Sequence, residues 1–316
     1  YMYEKWKGVH TLCAFDMIQE LIPLTRPRTL AAALGPTILG AAFSYYAFGA
    51  VQGTGLAIFH TILIFLAVVT AQIVANLWNE YKDFKSGLDA GQKIGNAGSI
   101  TRGAITPELI ITMIKVLMFV PIIIGLYLSA TITWYYIPIG FLCILISFLY
   151  SGGPKPISRT PFGEISSGIA MGFAIVLITG YAWTRELFLS LLIPAIPSTL
   201  LVGSIMLTNN IRDIRNDESH GRHTLPIVLG RERALSLMSI SYIFNFIWII
   251  AWIIIGHMTW FALLAFLAAP LAFKTIHTLS TNTDEFQLDK AMGTTAGAAM
   301  IYQLMWAIGL IMGKLF

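Results

Sequence analysis

Charge is scarce in this chain. Only 11% of its 316 residues are Asp, Glu, Lys or Arg, and 56% are hydrophobic. A soluble domain carries about a quarter charged residues, so the deficit excludes an ordinary water-soluble fold and predicts an integral membrane protein. Cysteine is scarcer still. Cys13 and Cys143 are the only two, too far apart for a CxxC pair, which excludes a disulfide framework and a zinc site. The positive surplus is small, +4, and its carriers sit in short loops between apolar stretches, so no nucleic-acid partner is expected. No cleavable leader is expected either, because the first strong apolar stretch begins after Pro27 and is long enough to be retained.

What the chain does have is apolar runs. A helix crossing the ~30 Å hydrocarbon layer takes roughly 20 residues. Nine stretches qualify, at about 27–49, 55–79, 107–129, 132–150, 163–184, 187–208, 235–256, 258–277 and 291–313. Runs this long exclude a closed barrel. The expected fold is all-α: a polytopic membrane protein with nine transmembrane helices around a central cavity, in a single domain covering 1–316. Alternate loops hold nearly all the cations, among them Arg26, Arg28, Lys82, Lys85, Arg102, Lys155, Arg159, Arg212, Arg215 and Arg222, while the opposite side has Arg185 and the terminal Lys314. The positive-inside rule then predicts a cytoplasmic N-terminus, cytoplasmic charged loops and an external C-terminus in the cell (inner) membrane. Lys115, alone inside the third span, is read as snorkelling to the cytoplasmic interface.

The acids share that chemically rich face. Span two ends in "NLWNEYKDFKSGLD", from Asn76 to Asp89, and span six ends in "NNIRDIRND", from Asn209 to Asp217. Asn79-x-x-x-Asp83 and Asn209-x-x-x-Asp213 lie 130 residues apart, each after the second helix of a four-helix set. This predicts two pseudo-repeats: a cytoplasmic segment 1–26, a first half 27–154, a second half 155–290 and an added ninth helix 291–316. Asn76, Asn79 and Asp83 fall at i, i+3 and i+7, and Asn209, Asp213 and Asp217 at i, i+4 and i+8, so each set shares one face if its helix continues. Asp89 follows Gly87, where the helix should have ended. Ionisable groups at membrane depth are costly and usually functional. Clustered hard oxygen donors suit Mg²⁺ completed by substrate phosphates, and two facing clusters could clamp a diphosphate between bridging ions. The expected metal set is Asp83, Asp89, Asp213, Asp217 and Asn79.

These two motifs, with "TRPRTL" opening span one and "YSGGPKPISRTPFGE" after span four, resemble the aspartate-rich signatures of the UbiA-type intramembrane prenyltransferases. The likeness runs from about Thr25 to the end of the chain and is nearest to the 1,4-dihydroxy-2-naphthoate branch. The Asp83-to-Asp89 interval of six residues, wider than is common elsewhere in the superfamily, fits that branch and argues against the 4-hydroxybenzoate branch. The resemblance implies transfer of a polyprenyl group from an allylic polyprenyl diphosphate to an aromatic quinone precursor, with Mg²⁺, two ions bridging the diphosphate, as cofactor. It implies that Tyr150 and Ser151 line the site. Lys155 is the first choice for a catalytic cation, and Asn79, Asn209, Arg28, Arg102, Lys155 and Arg222 are expected around the diphosphate. His223 is either a phosphate or acceptor contact or a plain loop residue. The expected surroundings are membrane lipid, with no obligate protein partner. The competing readings are another quinone precursor as acceptor, a divalent-cation transporter, whose polar groups should lie deeper than these acids, and a CDP-alcohol phosphatidyltransferase, which would gather its acids in a single motif.

Overall fold

Hydrocarbon offers no partners to a backbone N–H or C=O, so each spanning segment must close its own hydrogen bonds. The computed structural model describes residues 20–87 and 98–316, the side chains of residues 28, 29 and 31 excepted. Asp89, residues 1–19 and the side chain of Arg28 lie outside the described residues. Within them the chain is helical throughout, with no strand. We number the long helices α1 (Ala31–Phe48), α2 (Thr54–Ser86), α3 (Pro107–Thr131), α4 (Tyr136–Ser151), α5 (Gly163–Thr184), α6 (Leu189–Arg212), α7 (Arg231–Ile254), α8 (Trp260–Thr281) and α9 (Glu285–Leu315). Seven of them, α2, α3 and α5 to α9, are long and apolar enough to cross a membrane, while α1 has 18 residues and α4 has 16. The chain is a multi-pass membrane protein.

Local chemistry sets the helix ends. Thr106 caps α3 by accepting the Leu109 N–H at 3.2 Å, and Pro107 takes the first helical position, where its missing N–H costs nothing. Gly87 ends α2 in the left-handed region at φ 73°, a conformation a side chain would resist. The helix therefore runs to Ser86 and carries Asn79 and Asp83 on its last two turns. α5 is not the uninterrupted helix that its apolar run predicts. Its middle, Gly168–Phe173, is a π turn. There Gly168 and Gly172 press on α6: a Cβ on either would stand 2.6 Å from backbone atoms of Thr199 or Ser198.

α6 is the structural centre. It packs against α1, α5, α7 and α9, and α9 in turn packs against α1 and α8. Leu39 and Phe43 of α1, Leu201 and Ile205 of α6, Met238 of α7 and Tyr302 and Trp306 of α9 form the main buried cluster. A second cluster, Val74 and Leu77 of α2 with Ile110 and Ile114 of α3, joins the first helices. The outward faces carry large apolar side chains such as Phe119, Ile123, Phe141, Ile247 and Phe273, all exposed. Such a surface suits lipid rather than water. Lys115 lies exposed on α3 among Val116 and Phe119.

The α5–α6 contact can be tested. Gly172→Ala forces its Cβ into the Ser198 backbone and should destabilise the protein by about 1–3 kcal/mol. Gly125→Ala, inside α3 with nothing within 4 Å, should not destabilise it and should gain up to about 1 kcal/mol of helix propensity. Thermal unfolding in detergent measures both.

Candidate active site at the polar helix ends

The polar end of α2 divides its labour. Glu80 is buried, and its carboxylate accepts the Gly98 N–H at 2.9 Å and the Ile100 N–H at 3.5 Å, so this acid staples the following loop to the helix. Asn76 donates to the Thr25 carbonyl at 3.0 Å and anchors the approach to α1. Asn79 and Asp83 remain for chemistry. The Asn79 Oδ1 accepts from the Ser151 hydroxyl at 2.8 Å, which ties the ends of α2 and α4 together.

At the other motif the helix does not continue as its spacing suggests. α6 stops at Arg212, Asp213 closes it, and a short helix, Ile214–Ser219, starts afresh, with the Asp217 N–H donating to the Asp213 carbonyl at 2.8 Å. Because the helix ends between them, Arg212 and Asp213 can meet: the guanidinium holds both carboxylate oxygens at 2.7 and 2.8 Å. It also donates to Asn209 at 2.9 Å and to Asp289 of α9 at 2.8 Å. Gly221, at φ 67°, turns the chain back, and the Arg222 N–H donates to the Asp217 carbonyl at 3.0 Å.

That reversal delivers the central contact. Arg222 Nη2 lies 3.0 Å from Asp83 Oδ1, and its Nη1 lies 3.2 Å from Asp217 Oδ1. One guanidinium thus bridges the ends of α2 and α6. Beside it opens a cavity of about 240 Å³, lined by Lys82, Asp83 and Lys85 of α2, by Ser151, by Ser158 and Arg159 of the α4–α5 loop, and by Arg222. The His223 N–H donates to the Arg159 carbonyl at 3.0 Å, which locks that loop onto the turn. Tyr150 lies behind Ser151, in electrostatic reach of Arg222 and Asp217.

Several expected positions come out differently. Lys155 is exposed and does not line the cavity; its neighbours Pro154 and Pro156 do, and Arg159 supplies the loop's cation. Arg102 pairs with Glu20 at 3.4 Å and with Ser99 at 3.2 Å and does not line the cavity. The expected cluster of aspartates is not gathered into a ready cage: among the described residues no three His, Cys, Asp or Glu side chains converge as metal ligands. Asp213 is engaged by Arg212, and Asp83 and Asp217 share Arg222. The donor set still fits a hard divalent cation. Its donors are oxygens, the positive Arg222 guanidinium between Asp83 and Asp217 shows that the pair attracts positive charge, and Asp217 Oδ2 is buried without a hydrogen-bond partner. Burial pushes the Asp217 carboxyl up to about 7, against the pull of Arg222 and with the repulsion of Asp213 and Asp83 adding to the rise. Lys82 and Lys85 were legible only as loop charges; they stand over the rings of Trp78 and Tyr81 at 5.2 and 5.1 Å.

Known proteins resemble this chain in sequence and in fold. The model of the UbiA prenyltransferase family matches residues 33–308. The 1,4-dihydroxy-2-naphthoate octaprenyltransferase of Bacillus subtilis (strain 168) is 35% identical over 303 residues, covering 94% of this chain and 93% of that one. An apo UbiA homologue from Aeropyrum pernix K1 superposes with a TM-score of 0.66 at 18% identity, covering 90% of this chain and 97% of that one. A UbiA homologue from Archaeoglobus fulgidus, solved bound to GPP and Mg²⁺, gives 0.61 at 15% identity, covering 93% and 99%. At such identities these two structures speak for the fold.

The bridge makes two predictions. Arg222→Ala leaves two buried carboxylates facing one another and should destabilise the metal-free protein by about 3–5 kcal/mol, with much of the loss recovered on adding Asp217→Asn. Thermal unfolding of the single and double variants decides this. The raised Asp217 carboxyl means that the folded state holds its proton more tightly than the unfolded chain. Its contribution to stability is complete below about pH 4 and is lost as the pH rises through about 7. Asp217→Asn should therefore flatten the decline in stability between those values, and a parallel decline in both proteins would contradict it.

Proposed function

The chain belongs to the UbiA prenyltransferase family, and from that premise we propose that it transfers a polyprenyl group from an allylic polyprenyl diphosphate to 1,4-dihydroxy-2-naphthoate, releasing diphosphate, on the route to menaquinone. The observation that carries this reading is the Arg222 bridge from Asp83 to Asp217 at the wall of a cationic cavity. The Bacillus subtilis relative, similar along nearly the whole chain, supports the acceptor.

Transfer begins when the allylic C–O bond breaks and its electron pair leaves on the diphosphate. Fixed positive charge aimed at the departing oxygens lowers that barrier, and inside a sheltered cavity it acts more strongly than in water. Lys82, Lys85, Arg159 and Arg222 hold the phosphate oxygens. Lys155, exposed beside Pro154 and Pro156, draws the anion toward the mouth. Asp83, Asp89, Asp213 and Asp217, helped by Asn79 and Asn209, would hold Mg²⁺, as two ions. When bound, Mg²⁺ supplies the largest share of the charge that offsets the leaving group. Ser151 keeps Asn79 turned toward the site, and Tyr150 closes the wall behind it. Arg28 remains a candidate for the diphosphate, and Arg102, paired with Glu20 and Ser99, is left to the approach of the headgroup region. The isoprenoid tail lies among the spans and enters from the lipid. Close-packed Gly168 and Gly172 leave it no room at α5, whereas Gly293 on α9 faces open space. The walls exclude water from the allylic cation.

The finer architecture belongs to the same proposal. All nine helices cross the bilayer, α1 and α4 included. The halves 27–154 and 155–290 are pseudo-repeats, and 291–316 adds the ninth crossing. The N-terminus and the site face the cytoplasm, and the C-terminus lies outside the inner membrane. No protein partner is required.

Purified protein incubated with Mg²⁺, a series of prenyl diphosphates and either 1,4-dihydroxy-2-naphthoate or 4-hydroxybenzoate should yield a prenylated naphthoate by mass spectrometry. A product from 4-hydroxybenzoate alone would overturn the acceptor. Asp83→Ala and Asp213→Ala should each cost at least about 10²-fold in turnover while the protein stays folded, and chelation of Mg²⁺ should stop the reaction reversibly. Near-normal activity in both variants refutes the site.

A further inference from the structure

Glu164 is the buried acid that this mechanism leaves unused. It is the second residue of α5 and only 4% exposed. Its Oε1 accepts from Asn210 Nδ2 at 2.7 Å, while Oε2 is buried with no hydrogen-bond partner. Asp217 Oδ2 is likewise buried without a partner, but Asp217 has a guanidinium on its other oxygen where Glu164 has only a neutral amide. Asp83 and Asp217 share a guanidinium, and Glu80 takes two backbone amides. A buried carboxylate oxygen without a donor is expensive, and such exceptions call for a reason.

The surroundings supply one. Asn209 and Asn210 are adjacent but turn apart, Asn209 toward Arg212 and Asn210 toward Glu164. The Tyr150 hydroxyl stands beside the preceding residue, 3.5 Å from where a Cβ on Gly163 would lie. Tyr150 interacts electrostatically with Glu164 and also with Arg222, Arg26 and Asp217. Glu164 is therefore linked through Tyr150 to the diphosphate-holding residues without belonging to either aspartate motif. A hydroxylated aromatic ring that must meet the allylic carbon needs a hydrogen-bond acceptor of this kind.

We propose that Glu164 is a catalytic residue of the acceptor subsite: Oε2 receives the hydrogen bond of a ring hydroxyl and takes its proton as the new bond forms. This rests on the prenyl-transfer reading above. The step balances without a further reactant. The allylic C–O pair leaves on diphosphate, a π pair of the ring forms the C–C bond, and the O–H pair becomes the second bond of a ring carbonyl as the proton passes to Glu164. The group on the attacked carbon, a proton or carbon dioxide from a carboxylate, then departs without its bonding pair. That pair restores the aromatic ring, and the oxygen regains its proton.

The rival role is a mere clamp between α5 and α6 through Asn210, and two variants separate the two. Glu164→Gln keeps length and an oxygen for Asn210 but cannot take a proton; Glu164→Asp keeps the acid but shortens the reach. As a proton acceptor, Glu164 requires E164Q to lose about 10²–10⁴-fold in kcat and E164D to lose less. As a clamp, it requires the reverse order. Calorimetric binding of a non-hydrolysable prenyl thiodiphosphate with Mg²⁺ should stay within twofold of wild type in E164Q, which also reports that the variant is folded. E164Q as active as wild type, or more active than E164D, overturns the proposal alone. Wild-type protein that makes no prenylated product from any hydroxylated aromatic overturns the parent reading and this one with it.

Discussion

The structure turns on one guanidinium. Arg222 reaches Asp83 on α2 and Asp217 after α6, residues 139 and five positions away in the chain. Carboxylates this deeply buried repel each other and resist ionising, and a shared cation relieves both effects at once. The bridge forms part of the cavity wall, and the same turn staples the α4–α5 loop through the His223 N–H and the Arg159 carbonyl. The same arrangement suits an anionic substrate. Charges already assembled and desolvated need little reorganisation when negative charge develops on a leaving group.

Membrane packing explains how two helix ends come to be held in place. Without a hydrophobic drive between helices in lipid, close contact relies on small residues and buried polar pairs. Gly168 and Gly172 bring the backbone of α5 onto α6, and the π turn there sets the direction of the first residues of α5, including Glu164. Arg212 adds a polar tie from α6 to α9 through Asp289. Outward-facing Phe119, Phe141 and Phe273 leave the rest of the surface to lipid.

Much of this was legible in the residues. Long apolar runs disclose a helical membrane protein directly, and acids placed where such runs end disclose a site, because membrane depth makes them costly. Gly87 marks the end of α2 as its conformational freedom demands. What stayed hidden depends on contacts that spacing cannot express. Arg212 and Asp213 are neighbours that would point apart on a helix, and they pair because the helix stops between them. Arg222 is expected near the diphosphate from its place after the second motif, but its bridge between two carboxylates depends on the turn at Gly221. Lys155 and Arg159 share one loop, and the two prolines with the turn at Ile157–Arg159 decide which of them faces the cavity. Glu164 reads as an ordinary acid at a helix start, a position acids favour for electrostatic reasons alone.

The central claim is that the ends of α2 and α6 form one diphosphate site rather than two independent polar patches. A double-mutant cycle on binding tests it most directly. Inorganic diphosphate with Mg²⁺ is titrated into wild type, Asp83→Asn, Asp217→Asn and the double variant by calorimetry. A shared site requires that each single variant lose most of the affinity and that the double variant lose little more. Losses that simply add would mean that the two carboxylates act apart.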